Sequence, residues 1–245
     1  MQDLRTEERS AVGTQQRPCQ VFDLGLREYQ EAFQLQKTLQ QARIAGSTVD
    51  SVLALQHYPV ITLGKSGNKE NLLVAEEFLA EERVAVVHSN RGGDVTFHNP
   101  GQLVVYLVFD LRSLYGATYY RSVYRYVRDL EEVTLRLLVG FGLVGHRVRG
   151  YPGVWLGNSK ICAIGLNVSH WVTMHGFALN VNNDLQISSY IHPCGIRDKD
   201  VTSLSKVLQR EITVEEALPL TLMHLSNVFN LDIDCRGRDL LSIPG

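Results

Sequence analysis

A chain of 245 residues with 44% apolar and 20% charged side chains has an ordinary globular composition, with room for one large α/β domain or two small ones. Its formal net charge of −2 excludes a global attraction to nucleic acid or to an anionic membrane, so an acidic partner must be met by a local basic patch. No apolar run is long enough to span a bilayer. Residues 1–18 are polar with charges of both signs; they lack the apolar stretch of a secretory signal, and Asp3, Glu7 and Glu8 argue against a transit peptide. They read as a flexible tail on a cytoplasmic protein, followed by one domain over residues 19–245.

In chain order, Gln20 to Leu24 suggests a strand, and Glu28 to Ile44 has helical spacing of Tyr29, Phe33, Leu35, Leu39 and Ile44, with Gly46 as its stop. Val52 to Leu55 and Val60 to Leu63 read as strands around Tyr58-Pro59, and Ala75 to Glu82 as a short helix. Val84 to Val87 predicts a short buried strand and Leu103 to Phe109 a longer one. Thr118 to Val139 is the longest helix, with Tyr119, Val123, Tyr126, Leu130, Val133 and Leu137 on one side. Strand segments follow at Leu143 to Val148, Gly153 to Leu156, Lys160 to Val168 and Met174 to Val181, with Gly157-Asn158 as a hairpin turn. Thr213-x-x-Glu216 is a capping box opening a last helix to about Phe229. The mixture lacks regular βαβ alternation and predicts an α+β (α/β mixed) fold: a single domain, its mixed sheet flanked by helices.

Chemistry concentrates in three places. Arg91-Gly92-Gly93-Asp94-Val95-Thr96-Phe97-His98-Asn99-Pro100-Gly101-Gln102 sets a glycine pair, which permits close backbone approach, beside Arg91, Thr96, His98 and Gln102. Lys160 follows a tight turn and enters an apolar strand; alternation puts Lys160, Cys162 and Ile164 on one face, Ile161 and Ala163 on the other. A partly buried lysine has a lowered pKa and can serve as a base, although a lysine there is more often a snorkelling edge residue. His192-Pro193-Cys194-Gly195 holds a thiol in a loop, where it is reachable, whereas Cys162 sits inside a strand. Cys194 is the candidate nucleophile. The four cysteines include no C-x-x-C pair, and their spacing from His170, His175 and His192 matches no structural zinc pattern; free thiols are expected.

Together the Arg91-to-Gln102 stretch, the Lys160-to-Gly165 strand with Met174-His175-Gly176-Phe177-Ala178-Leu179-Asn180, and Pro193-Cys194-Gly195 resemble the lipoyl(octanoyl) transferases, over about His57 to just beyond Cys194. One departure is Asn99, where the family usually has glycine; asparagine tolerates a left-handed backbone, so the turn is expected to survive. The resemblance implies the fold of the biotin and lipoate protein ligase catalytic domain. It implies transfer of an octanoyl group from octanoyl-acyl carrier protein to the ε-amine of a lysine, through a thioester on Cys194 with Lys160 as its partner. The acceptors implied are the lipoyl domains of 2-oxoacid dehydrogenase complexes and the glycine cleavage H protein. Thioester to amide runs downhill, so no cofactor, ATP or metal is called for.

By position, Arg91, Gly92, Gly93, Asp94, Val95, Thr96, Phe97, His98, Ala163, Ile164, Gly165, Gly176, Phe177 and Ala178 match the substrate-binding segments. Val95, Phe97, Ile164 and Phe177 are expected to wall an apolar slot. For acidic carriers, Arg147, Arg149, Arg197 and Lys199 are the expected basic cluster at its mouth. An ATP-dependent ligase would share the fold but has no need of a nucleophilic cysteine, which makes Pro193-Cys194-Gly195 the discriminating feature.

Overall fold

The computed structural model describes residues 16–191 and 200–237. Strand β1 (Arg17–Arg27) leads into α1 (Tyr29–Ala45), which ends where Gly46 takes a left-handed conformation at φ 75° and its N–H returns to the last turn. Then come β2 (Asp50–His57), β3 (Val60–Leu63), α2 (Glu76–Glu81), β4 (Ala85–His88), β5 (Val95–His98), β6 (Gln102–Val108) and α3 (Leu111–Tyr115). The long helix α4 (Ser122–Gly140) precedes β7 (His146–Val148), β8 (Tyr151–Leu156), β9 (Ser159–Ser169) and β10 (Val172–Asn180). The chain resumes with β11 (Asp200–Val201), α5 (Leu204–Leu208), α6 (Val214–Phe229) and β12 (Leu231–Gly237). Thr213 caps α6 by accepting from the N–H of Glu216, as the capping box predicts.

The main sheet runs β12-β1-β2-β6-β10-β9-β8-β7, with β11 beside β9, and is mixed: β1 is parallel to both β12 and β2 and β11 is parallel to β9, while the pairings from β2 through β6, β10, β9 and β8 to β7 are antiparallel. Alternation along β6 builds two cores. Leu103, Val105 and Leu107 join residues of α4 and α6 on one face; Val104, Tyr106 and Val108 join Ala32 and Leu39 of α1 on the other. A small sheet, β4-β3-β5, covers a third cluster with Leu79 of α2. The result is the expected mixed sheet flanked by helices in one domain.

Several local expectations are corrected. Arg17 and Pro18, placed in the tail, already pair with Leu231 and Asp232 in the sheet, and Arg17 is bound to the buried carboxylate of Asp50. β4 is not buried: Ala85 and His88 are exposed, because the strand lies at the edge of the small sheet. β5, to which the sequence reading assigned no strand, forms inside the Arg91-to-Gln102 stretch, paired antiparallel with β3. Val123 is 41% exposed rather than part of the α4 core face.

Candidate active site

Between β9 and β10, the start of α4 and the Arg91–His98 segment lies a cavity of about 450 Å³, in the range of small-ligand sites. Arg91, Gly92, Gly93, Asp94, Val95, Thr96, His98, Lys160, Ala163, Ile164, Gly165, Gly176, Phe177 and Ala178 all line it. Phe97 does not: β5 turns Thr96 and His98 toward the cavity and buries Phe97 with Ile61, Leu63 and Leu79 under the small sheet. Cys194, with Arg197 and Lys199, lies outside the described residues.

Close backbone approach explains the glycines. A Cβ on Gly176 would sit 2.2 Å from the Val105 carbonyl oxygen, so no side chain fits between β10 and β6. At Gly165 it would meet Arg91 Cδ at 3.2 Å and the Gly92 oxygen at 3.4 Å, a contact that neighbours can relieve only by shifting. The Gly92 N–H donates to the Leu166 oxygen at 2.7 Å, joining the glycine pair to β9.

Arg91 is a strut between the cavity wall and β3. Its Nε donates to Thr62 Oγ1 at 3.0 Å, and its Nη2 donates to the Thr62 carbonyl at 2.6 Å. Asp94 holds the loop after β3, accepting from the Asn68 N–H at 3.2 Å and from Asn71 Nδ2 at 2.5 Å. Asn99 is not in the left-handed region; Gly101 is, at φ 86°. The turn is present without a left-handed Asn99, closed by the Gln102 N–H donating to the Asn99 carbonyl at 3.2 Å; the Asn99 side chain donates to the Asp184 carbonyl at 2.7 Å and accepts from Asn183 Nδ2 at 3.0 Å, tying the turn to the chain after β10.

Two buried histidines, His98 and His175, line the cavity, and a third, His57, packs against His98, Tyr29 and Tyr106 without lining it; partners set the tautomers of all three. His57 Nδ1 donates to the Arg27 carbonyl at 3.0 Å, leaving Nε2 to accept from the Tyr106 hydroxyl at 2.8 Å. His98 Nδ1 donates to Gln102 Oε1 at 2.7 Å, and the Gln102 amide is oriented by its own donation to Asn180 Oδ1 at 2.8 Å. Gln102 thus stands behind His98 rather than facing the cavity. His175 Nε2 donates to Asn90 Oδ1 at 2.6 Å, and its backbone, at φ 60°, is held by its N–H donating to Gln36 Oε1 of α1 at 2.8 Å. Desolvation is the main reason that all three stay neutral: His57 is pulled down to about 4, His98 and His175 to about 3, with the Arg91 charge adding to the last two.

Lys160 stands at the mouth. Its Nζ donates to the Pro152 carbonyl at 3.3 Å and lies 5.0 Å from the Trp155 ring centroid. The alternation expected along this strand is corrected. Gly153 pairs with Ala163 and Val154 with Cys162, but Trp155 pairs with Lys160, so Ile161 is an extra residue in a bulge. The bulge lets Lys160 and Ala163 both reach the cavity while Ile161 and Cys162 pack into the core against α4. Cys162 is fully buried and its thiol is pushed up to about 12 by desolvation, which leaves it inert at neutral pH. Arg147 is no free docking cation: it is paired with Glu131 at 3.0 Å and Glu132 at 2.9 Å, and neither it nor Arg149 lines the cavity.

The sequence reading missed Tyr29 and Tyr106, whose rings join the histidines, and Val123 and Val127 on the α4 edge of the cavity. The i, i+4 spacing of the two valines is the only signal that pointed to them.

The family model of the lipoyl protein ligase A/B catalytic domain matches residues 28–226. An octanoyltransferase of Caldicellulosiruptor bescii is 44% identical over 220 residues, covering 89% of this chain and 94% of its own. One of Rubrobacter xylanophilus is 46% identical over 208 residues, covering 84% and 88%. Among solved structures, a lipoate-protein ligase A bound with ATP superposes with a TM-score of 0.69 at 13% identity, over 91% of this chain and 89% of that one. A structure from a study of a bipartite lipoate protein ligase and its E2 lipoyl domain from Thermoplasma acidophilum gives 0.67 at 13% over 90% and 87%. At that identity the likeness is one of fold.

Proposed function

The chain belongs to the octanoyltransferases of the lipoyl protein ligase A/B catalytic-domain family, acyltransferases of lipoate synthesis, and we propose that it carries octanoyl from octanoyl-acyl carrier protein to a lysine ε-amine through Cys194. The acceptors in this reading are the lipoyl domains of 2-oxoacid dehydrogenase complexes and the glycine cleavage H protein, in the cytoplasm. No helix among the described residues is long and apolar enough to cross a membrane.

The Cys194 thiolate attacks the thioester carbonyl of the donor, the carrier sulfur leaves, and the Lys160 ammonium supplies its proton. The acceptor amine then attacks the acyl-enzyme; the Cys194 sulfur leaves and Lys160 takes the amine proton. The bonds balance without ATP or metal, because an amide is more stable than the thioester it replaces. Cys194, not Cys162, fits the nucleophile because the Cys162 thiol is buried and stays protonated.

The observation that carries the reading is the place of Lys160, at the mouth of the cavity beside the chain that leads away from Cys194. β11 pairs Asp200 with Ser159 and Val201 with Lys160, and the Thr202 N–H donates to the Lys160 carbonyl at 3.0 Å. Only residues 195–199 separate Cys194 from that pairing, which supports Lys160 as its partner.

Intact-mass spectrometry after mixing with octanoyl-acyl carrier protein tests this. One octanoyl adduct mapped to Cys194, and discharged by a lipoyl domain, is expected. Full turnover with no acyl-enzyme at any time would overturn the covalent mechanism.

A further inference from the structure

Glu131 is a buried carboxylate that the proposed chemistry leaves unused. It lies on α4 at 0% exposure. Its Oε2 accepts from Arg128 Nη1 at 2.7 Å and Arg147 Nε at 3.0 Å, while Oε1 accepts from the Gly153 N–H at 3.1 Å. A carboxylate withdrawn from water is costly unless it is paired, so two arginines are spent on holding one acceptor under β8.

What that acceptor fixes is the peptide that Lys160 rests on. The Gly153 N–H and the Pro152 carbonyl belong to one planar amide, so anchoring one end orients the other. The Pro152 carbonyl accepts from Lys160 Nζ. Gly153 is at φ 127°, where a Cβ would lie 2.3 Å from the Cys162 carbonyl oxygen, so only glycine lets this peptide lie so close to β9. Among the described residues, Glu131 of α4 thus reaches the lysine amine through this one peptide: its Oε1 accepts from the Gly153 N–H and the Pro152 carbonyl accepts from Lys160 Nζ.

We infer that Glu131 is a positioning residue for Lys160, acting through the Pro152–Gly153 peptide. The catalytic consequence rests on the proposed role of Lys160; the positioning itself does not.

Two variants separate positioning from scaffolding. Glu131→Asp keeps the charge for Arg128 and Arg147 but withdraws the acceptor by one methylene from the Gly153 N–H. Glu131→Gln keeps the reach of an acceptor oxygen but loses the charge. Two readouts are followed beside thermal unfolding: kcat and KM for octanoyl transfer, and the rate at which an amine-selective reagent labels Lys160 at fixed pH, quantified on its peptide by mass spectrometry. Positioning predicts that Glu131→Asp lowers kcat about tenfold at unchanged KM and speeds Lys160 labelling. Glu131→Gln is then the less stable variant yet keeps kcat and labelling near those of the parent. Losses that track thermal stability in both variants, or Lys160 labelling unchanged in Glu131→Asp, would overturn the inference. Faster labelling with kcat unchanged would uphold the positioning and remove Lys160 from the chemistry.

Discussion

Cys162 Sγ lies 3.5 Å from Thr134 Oγ1, in the buried seam where β9 packs on α4. The contact makes this thiol a core group, facing away from the cavity that its neighbours Ala163 and Ile164 line. Cys162→Ala is therefore expected to keep most of the transfer activity and to cost about 1 kcal/mol of stability through a small cavity. Cys194→Ser is expected to abolish transfer. Steady-state rates and denaturant melts check both, and an inactive but folded Cys162→Ala would reverse the assignment.

Lys160 is tested by its relation to arginine. Lys160→Arg keeps a positive charge but cannot exchange a proton at neutral pH, so transfer is expected to fall about as far as in Lys160→Met. An arginine variant with near-parental kcat would mean that only charge matters at this position.

The two cavity glycines differ in what surrounds them. Gly176→Ala drives a Cβ to 2.2 Å from the backbone oxygen of Val105, so strands β10 and β6 must part, and a loss of about 3 kcal/mol or more is expected. Gly165→Ala meets the flexible Arg91 side chain at 3.2 Å and the Gly92 oxygen at 3.4 Å. It is expected to fold and to raise KM for the acyl donor by narrowing the cavity. Thermal melts and steady-state kinetics separate the two; equal destabilisation would show that the Arg91 strut is as unyielding as the strand.

The buried histidines make stability depend on acid. Each is neutral in the folded protein, with a value of about 4 for His57 and about 3 for His98 and His175, below the unfolded 6.5. Below that unfolded value the unfolded chain binds protons that the folded protein refuses. Their contribution is complete above pH 6.5 and is lost as pH falls toward 4 and then 3, with a slope of up to about 1.4 kcal/mol per pH unit for each. Urea unfolding at stepped pH is expected to show this loss, shallower in His57→Gln. An identical slope in the variant would show that His57 titrates alike in both states.

The local features of this protein were legible in its sequence. The Gly46 stop, the Thr213 cap, the Gly157-Asn158 turn and the periodicity of α1 and α4 depend on residues within a few positions of one another, and so do the three blocks that carry the family resemblance. Tertiary structure alone decided the rest, because it depends on partners far away in the chain. β12 and β1 are parallel neighbours from opposite ends, with Arg17 opposite Leu231, and no local pattern announces such an edge. β5, four residues long, is a strand because β3 offers it hydrogen bonds. Phe97 faces the small-sheet core and Lys160 faces the cavity through pairing and a bulge that simple alternation does not contain. The protonation of His57, His98 and His175 follows from desolvation, a property of the packed surroundings that residue identity does not carry.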